Sequence, residues 1–356
     1  MKFVHIADMH FDTSFAQISN TELGNSRRLE QRKALKKVIE YIKENNVDYL
    51  FIAGDFYEHK YIRESTIEYI NKLFKEIPYT KIFITPGNHD PLIKNSFYNK
   101  YNWNDNVYIF SSKISCIKDG DINIYGYGFD DFYYTNPAIE SFELEDKNKV
   151  NILITHASLD GTNNVDLQYN AISRRTLENI GFDYVALGHI HKSNYTENET
   201  IVYPGSTISM GFDELGSHGM VAGEFVDKKL KTEFIPLDEG EFKINELDIS
   251  GLESIETIAD TINNLTLDNN EFYEIYLVGN KNFEIDLYNL KKMILQNNVI
   301  KIKDNTKIAY NLEELAKNNT LEGLFVKEIL ERLGNNTYDK ETVEKALEIG
   351  LEILEK

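Results

Sequence analysis

The sequence predicts an α/β sandwich, and three observations predict it. The first two-thirds of the 356-residue chain alternate short apolar runs with amphipathic stretches. Five of the runs, KFVHIA, VDYLFIAG, KIFITPG, VNILITH and DYVALGH, are apolar, rich in β-formers and bounded by Gly or Asp, and read as buried strands. Helical periodicity fills several of the gaps, and strand–helix alternation places sheets in the middle with helices packed against them.

Taken in order, the first helical pattern runs from about Arg27 to Asn45, with Leu35, Val38, Ile39 and Ile42 on one face. A second runs from Ser65 to Lys75, where Ser65 fits the cap and Glu68 its capping-box partner. The segment INIYGYGF and the pair GMVAGEFV and LKTEFIPL suggest added antiparallel strands. The pattern changes near Pro236, and LDEGEFKINELD reads as a linker. Beyond it, Leu252 to Leu265 reads as a helix, Glu271 to Val278 as a strand, Ile285 to Gln296 as a helix and Val299 to Lys303 as a strand. From Asn311 onward only helices are legible. Leu312, Leu315, Leu321, Leu324, Phe325, Ile329, Leu330 and Leu333 form one apolar stripe; Val343, Leu347, Leu351 and Leu354 form another. Packing on the preceding module and docking a partner both account for such stripes. The expected division is 1–240 for the main domain, 241–310 for a small α/β module and 311–356 for terminal helices.

Composition narrows the class. Hydrophobic residues are 42% and charged residues 27%, as in ordinary globular proteins. No apolar run reaches the roughly 18 residues that span a bilayer. The start, MKFVHIADMHFD, lacks the apolar core of a signal peptide. The single cysteine, Cys116, excludes an intramolecular disulfide and a cysteine zinc cluster, and fits a reducing cytoplasm. The net charge is −20, which opposes unaided binding to a phosphate backbone. If DNA is the substrate, a partner is expected to supply much of the grip.

The chemistry concentrates at the strand ends. Asp8-Met9-His10 follows the first strand, Gly54-Asp55 the second, and Gly87-Asn88-His89-Asp90 the third. Thr155-His156 and Gly188-His189-Ile190-His191 end two later ones. In α/β sheets the carboxyl ends of the strands are where sites assemble. Asp8 and His10 lie two apart, as do His189 and His191, so an extended backbone would point each pair the same way. Carboxylate, imidazole and amide oxygen together suit Mn, Fe or Zn, and a carboxylate such as Asp55 can bridge two metals. Glycines 54, 87 and 188 fit close backbone approach to the site. A single such cluster would read as a turn; five, each ending a strand, read as one dinuclear centre. His5 reads as packing, His218 as a loop residue and His59 as part of a surface turn. Arg174-Arg175 reads more readily as a solvated helix start than as a phosphate-binding pair.

The ordered set DxH, GD, GNHD, H and GHxH resembles the calcineurin-like metallophosphoesterases over about residues 1–236. The run YNAISRRTLENIGFDYVALGHIHK, followed by VYPGSTISMGFDE and GMVAGEF, is similar to the bacterial DNA-repair exonuclease branch, the SbcD/Mre11-type subunits and the YhaO-like proteins. HIADMHFDTSF and AGDFYEHK fit that branch too, whereas the Arg-Gly and GNHE of the protein-phosphatase branch are missing. The resemblance implies a two-sheet sandwich with a capping module and a helical tail. It implies one metal on Asp8, His10, Asp55 and His191 and another on Asp55, Asn88, His156 and His189, with manganese usual. His89 would be the catalytic histidine and Asp90 its orienting partner. Many relatives carry a second functional histidine three residues after the bridging Asp; here that place is Glu58, with His59 next to it. An SMC-like ATPase of the SbcC, Rad50 or YhaN type and a homodimer are implied in the same way.

The expected function is therefore two-metal hydrolysis of phosphodiester bonds in DNA. The alternatives are a small-molecule phosphodiesterase or phosphatase on the same fold, which the acidic charge favours, and a scaffold that has lost its chemistry, which the complete ligand set opposes.

Overall fold

The structure is a computed structural model that describes residues 1–15, 21–135, 139–161, 169–308, 310, 312–334 and 339–354. Two compact units divide the chain: 1–244 with 267–273, and 245–266 with 274–356.

The first unit holds two sheets. Strands β1 (Lys2–Ile6), β2 (Tyr49–Ala53), β3 (Lys81–Thr85) and β4 (Val107–Ile109) run parallel. The antiparallel β10 (Gly219–Val226) and β11 (Lys229–Pro236) complete a six-stranded sheet of order β11-β10-β1-β2-β3-β4. The second sheet has the order β5-β6-β7-β8-β9, from β5 (Ser115–Asp119), β6 (Ile122–Tyr127), β7 (Val150–His156), β8 (Tyr184–Gly188) and β9 (Ile201–Val202). The expectation for INIYGYGF is half met: β6 is antiparallel to β5 but parallel to β7.

Alternation along the strands explains the layers. Phe3, Phe51 and Phe83 of one sheet share a buried cluster with Ile124, Ile152, Ile154, Tyr184 and Ala186 of the other. Val4, Ile6, Leu50, Ile52, Ile82 and Ile84, at the alternate positions, are equally buried, as expected for parallel strands covered on both faces. The long helix α1 (Thr21–Asn45) buries Leu35, Val38, Ile39 and Ile42, as its periodicity predicts. The next helix, α2 (Glu64–Phe74), is preceded by Arg63 and not capped by Ser65, which lies inside its first turn. A short α3 (Phe97–Lys100) follows, and α4 (Arg174–Ile180) is capped by Ser173, whose hydroxyl accepts from the Thr176 N–H. On the second sheet, Leu153, Val185 and Leu187 cluster with Leu177 of α4 and with Ile139, Leu144 and Ile172. The unit is a helix–sheet–sheet–helix sandwich.

The second unit carries most of a sheet of order β12-β13-β15, from β12 (Phe242–Asp248), β13 (Phe272–Val278) and β15 (Val299–Asp304). A short pair joins β14 (Asn280–Lys281) to β16 (Lys307–Ile308). Helices α5 (Ile255–Asn263) and α6 (Leu287–Met293) lie where helical periodicity was read, each shorter than expected. Ser254 caps α5 with a capping box to Thr257. The stretch read as a linker contains β12, whose alternating residues gave too weak an apolar signal. At the terminus α7 (Leu312–Leu315), α8 (Leu321–Gly334) and α9 (Lys340–Leu354) bury Val326, Ile329, Val343, Leu347 and Leu351 in a cluster of their own. Leu321 and Leu324, counted in the first stripe, stay largely exposed.

Candidate functional site

Each candidate ligand follows the carboxyl end of a parallel strand. β1 leads to Asp8 and His10, β2 to Asp55, β3 to Asn88 and His89, β7 ends on His156 and β8 leads to His189 and His191. Because β1, β2 and β3 adjoin in one sheet and β7 and β8 in the other, the loops meet along one edge of the sandwich. Hydrogen bonds within and between the sheets tie them. The Asp8 N–H donates to the Gly54 carbonyl at 3.1 Å, the His189 N–H to the Asp8 carboxylate at 3.1 Å, and His156 Nδ1 to the Ala53 carbonyl at 2.9 Å.

The backbone differs from the extended segment expected at Asp8–His10. Asp8 and His10 have φ of 50° and 47°, and Asp55 and His189 have 48° and 108°. Left-handed backbone at non-glycine residues is uncommon and gathers at functional sites, where surrounding structure holds the strain. Here the N–H groups of Asp8 and His10 bond the carbonyls of Gly54 and Asp55, and the Gln31 amide donates to the carbonyls of Met9 and His10 at 2.8 Å. The side chains of Asp8 and His10 converge through this coil, not through strand alternation. Close packing explains the glycines: a Cβ on Gly87 would overlap the Asp55 carboxylate, and one on Gly188 the Ala53 carbonyl.

Three imidazoles share one arrangement. His10 Nδ1 lies 2.7 Å from Glu58 Oε1, His191 Nδ1 lies 3.0 Å from Glu214 Oε2, and His156 Nδ1 donates to the Ala53 carbonyl. Anchoring one nitrogen on an acceptor leaves Nε2 aimed inward, the pattern that supports metal-ligating histidines. The inward nitrogens converge. His10 Nε2 is 3.1 Å from His191 Nε2, and His156 Nε2 is 3.0 Å from Asn88 Oδ1 and 3.3 Å from Asp55 Oδ2. Two imidazole nitrogens face each other at that distance only with a proton, or a cation, between them. Asp8, His10 and His191 form one group able to hold a metal, and Asp8, Asp55 and His156 another. The donor set of carboxylates, imidazoles and an amide oxygen fits borderline divalent ions. His189, edge-on to His156 at 5.2 Å, lies beside the second group.

The electrostatics match a site built for cations. Burial alone would lower the His156 imidazole, but the carboxylates of Asp55 and Asp8 raise it to about 9. Burial likewise opposes the charge on His191, and Glu214 and Asp8 bring it to about 9. Burial and the neighbouring His156 charge lower His189 to about 3. Burial raises the Asp8 carboxyl. At Asp55 burial pushes upward, and His156, His89 and His10 overcome it, holding the carboxyl well below its usual range.

His89 stands at the mouth of the site, its side chain 45% exposed. Its N–H donates to Asp55 Oδ1 at 2.7 Å, and its Nδ1 lies 3.1 Å from Glu58 Oε2. Burial lowers the imidazole, but Glu58 and Asp55 bring it to about 9. Asp90 does not orient this ring. Its oxygens accept from the N–H groups of Asp55 (3.1 Å), Phe56 (2.7 Å) and Gly87 (2.6 Å) and from the Tyr98 hydroxyl (2.5 Å), which fixes the loops after β2 and β3. The acid that faces His89 is Glu58, and it faces His10 as well.

Sequence reasoning also missed the buried support of His191. Glu214 accepts from Ser206 Oγ at 3.2 Å and the Met210 N–H at 2.6 Å, while its carbonyl lies 2.7 Å from His218 Nε2. His218 is a loop residue as expected, but a buried one, 2.8 Å from Ser206 Oγ. Their only sequence signal is position, downstream of VYPGS in a stretch without periodicity. His5 is buried, with Nδ1 3.0 Å from the Tyr184 hydroxyl, and reads as core. Arg174 lies 3.4 Å from Glu199 and Arg175 is exposed, at a helix start.

Residues 1–193 match the Calcineurin-like phosphoesterase family. The chain is 26% identical over 246 residues to "Uncharacterized metallophosphoesterase YhaO" of Bacillus subtilis (strain 168), a match covering 66% of this chain and 60% of that protein. It is 30% identical over 274 residues to the SbcD subunit of the SbcCD nuclease of Staphylococcus epidermidis, covering 67% of this chain and 70% of the relative. The corresponding SbcD subunit of Staphylococcus saprophyticus is 28% identical over 271 residues, covering 67% and 69%.

Proposed function

Because the chain belongs to the calcineurin-like phosphoesterase family, we propose that it is a metal-dependent nuclease that hydrolyses phosphodiester bonds in DNA repair, as exonuclease and endonuclease. The observation that carries this is the convergence at one sandwich edge of Asp8, His10, Asp55, Asn88, His156, His189 and His191, with His89 at the mouth. The relatives named as nuclease subunits support the choice of DNA.

Asp8, His10, Asp55 and His191 would hold one divalent cation; Asp55, Asn88, His156 and His189 would hold the other, manganese being the expected metal. Bound there, the cations supply Lewis acidity toward the phosphate oxygens and acidify a water for attack at phosphorus. The chain's own residues do the rest. Asp55, shared by both sets and fixed by the Asp90-held loops, keeps the two positions in register. His89, held at Nδ1 by Glu58, presents its other nitrogen to the leaving oxygen and donates a proton to it. The α/β module of residues 241–310 would act as a cap that favours strand ends. An SMC-like ATPase of the SbcC, Rad50 or YhaN type would dock on the terminal helices, where Leu321, Leu324 and Ile353 are exposed. A homodimer and a cytoplasmic setting complete the reading. No described helix is long and apolar enough to cross a membrane.

The net charge of −20 favours a second reading, a phosphodiesterase acting on small esters such as cyclic nucleotides. End-labelled linear DNA, bis-p-nitrophenyl phosphate and a cyclic nucleotide, each assayed with Mn²⁺, decide between them. Shortening of DNA that vanishes in His89→Ala supports the nuclease. Hydrolysis of the small esters alone, unchanged when the candidate ATPase is added, supports the second reading.

A further inference from the structure

The loop after β6 carries two large aromatic side chains in solvent, Phe132 at 45% and Tyr133 at 57% exposure. Single exposed apolar residues are ordinary; this pair is distinguished by how the loop is held and which rings it meets. At its start Phe129 is buried, its ring 5.6 Å from His156 and nearly perpendicular to it. The Phe129 N–H donates to the Pro86 carbonyl at 2.9 Å, and its carbonyl accepts from Leu92 at 2.8 Å. Directly after the pair the Tyr134 hydroxyl donates to the Ser112 carbonyl at 2.8 Å, and the Tyr134 carbonyl accepts from the Asn170 N–H at 2.8 Å. The stretch from Phe129 to Tyr134 is therefore clamped on both sides of the pair, to segments beside Asn88 and His156.

Between the clamps the two rings reach different flanks of the site. Phe132 lies 6.2 Å from the His59 ring, and the His59 N–H donates to the His89 carbonyl at 2.9 Å. Tyr133 lies 6.2 Å from Tyr169, which lies 5.0 Å from His189. A chain of charge −20, with Asp130 and Asp131 in this same loop, is poorly suited to hold a phosphate backbone by charge. Stacking needs no charge, because every base presents a π-face. We infer that Phe132 and Tyr133 form a stacking platform for the nucleobase next to the phosphodiester held at the metal centre, an inference that rests on the functional reading above. The occupant is a nucleobase, of a DNA strand or of a small nucleotide ester.

The test uses the full chain with Mn²⁺ and two base-bearing substrates, a short oligonucleotide and thymidine 5′-(p-nitrophenyl phosphate). Each is paired with a base-free counterpart, an oligonucleotide with an abasic end and methyl p-nitrophenyl phosphate. The base is expected to raise kcat/KM. Phe132→Ala and Tyr133→Ala should each lower it on base-bearing substrates by about five- to hundredfold, mainly through KM, while Tyr133→Phe keeps the ring and the wild-type value. Tyr79→Ala, 96% exposed in a different loop, serves as the control and should change nothing. A base effect on both substrates assigns the platform to nucleobases in general; an effect on one alone assigns it to DNA or to small esters. Equal rates with and without the base, or alanine variants with wild-type KM, overturn the platform. If no substrate is hydrolysed, the functional reading fails separately, and quenching of a 2-aminopurine-tipped oligonucleotide in Ca²⁺ decides. Quenching that Phe132→Ala and Tyr133→Ala abolish sustains the platform; quenching absent, or unchanged by the variants, overturns it.

Discussion

Glu58 holds two imidazoles with one carboxylate, His10 through Oε1 at 2.7 Å and His89 through Oε2 at 3.1 Å. Burial opposes its charge, yet those two bonds bring the carboxyl down to about 2. It is thus a positioning residue for an expected metal ligand and for the expected proton donor together. Glu58→Gln should weaken Mn²⁺ affinity about 10–100-fold, the usual cost of losing an outer partner of a ligating histidine. Equilibrium dialysis measures this, and unchanged affinity would remove Glu58 from the metal's support. His89→Ala differs in kind. The ring is exposed at the mouth, and the bond to Asp55 comes from its backbone. Metal content should hold while kcat falls about 10²–10⁴-fold, the range for a general acid.

At the level of elements, the site depends on loops that turn immediately after their strands. Gly87 follows β3 by two residues, and a Cβ there meets the Asp55 carboxylate; Gly54 has φ of 83° and faces the His156 ring. Gly87→Ala should displace Asp55, at a cost of about 1–3 kcal/mol for an overpacked interior. A melting curve with and without Mn²⁺ checks it. The variant should melt lower and respond less to the metal, and a wild-type response would show that Asp55 accommodates the methyl group. The same elements show where periodicity fails as a guide. Helix α1 was legible because four apolar residues repeat on one face, whereas α2 begins one residue before the Ser65 that resembled a cap. β12 was hidden because its burial is mixed along the strand.

Across the whole molecule, charge links metal binding to protons. In the metal-free chain His156, His191 and His89 are each raised to about 9, above the ordinary 6.5. A raised folded-state value stabilises the fold fully below the unfolded value, and that gain is lost as pH rises through the folded value. Metal-free protein should therefore lose stability between about pH 6.5 and 9, the window between those values. His189, lowered to about 3, acts with the opposite sign and only below this window. Binding to deprotonated nitrogens must expel the protons of His156 and His191, so metal affinity should climb over the same range. Calorimetry in two buffers of different ionisation enthalpy reads the proton release directly; buffer-independent heats at pH 7 would contradict it. The net charge of −20 adds a further expectation: with few cationic contacts to phosphate, DNA cleavage by the chain alone should depend only weakly on added salt, and a basic partner should steepen that dependence.

Sequence alone determined the sandwich, the strands that end at the site and the candidate ligand set, because buried parallel strands are near-continuous apolar runs and chemical residues follow them directly. The clusters at the strand ends could be named for that reason, and the resemblance of the ordered motif set singled out Asp8, His10, Asp55, Asn88, His156, His189 and His191 within them as the expected ligands. Tertiary structure alone decided what stands behind them. Glu58 rather than Asp90 meets His89, Asp90 instead ties the loops after β2 and β3, and Glu214 with Ser206 and His218 backs His191. These contacts join residues far apart in the chain and lie in irregular loops, where no period marks a partner. The left-handed turns at Asp8, His10, Asp55 and His189 were equally invisible, since they exist only where packing and hydrogen bonds between neighbouring loops offset their strain.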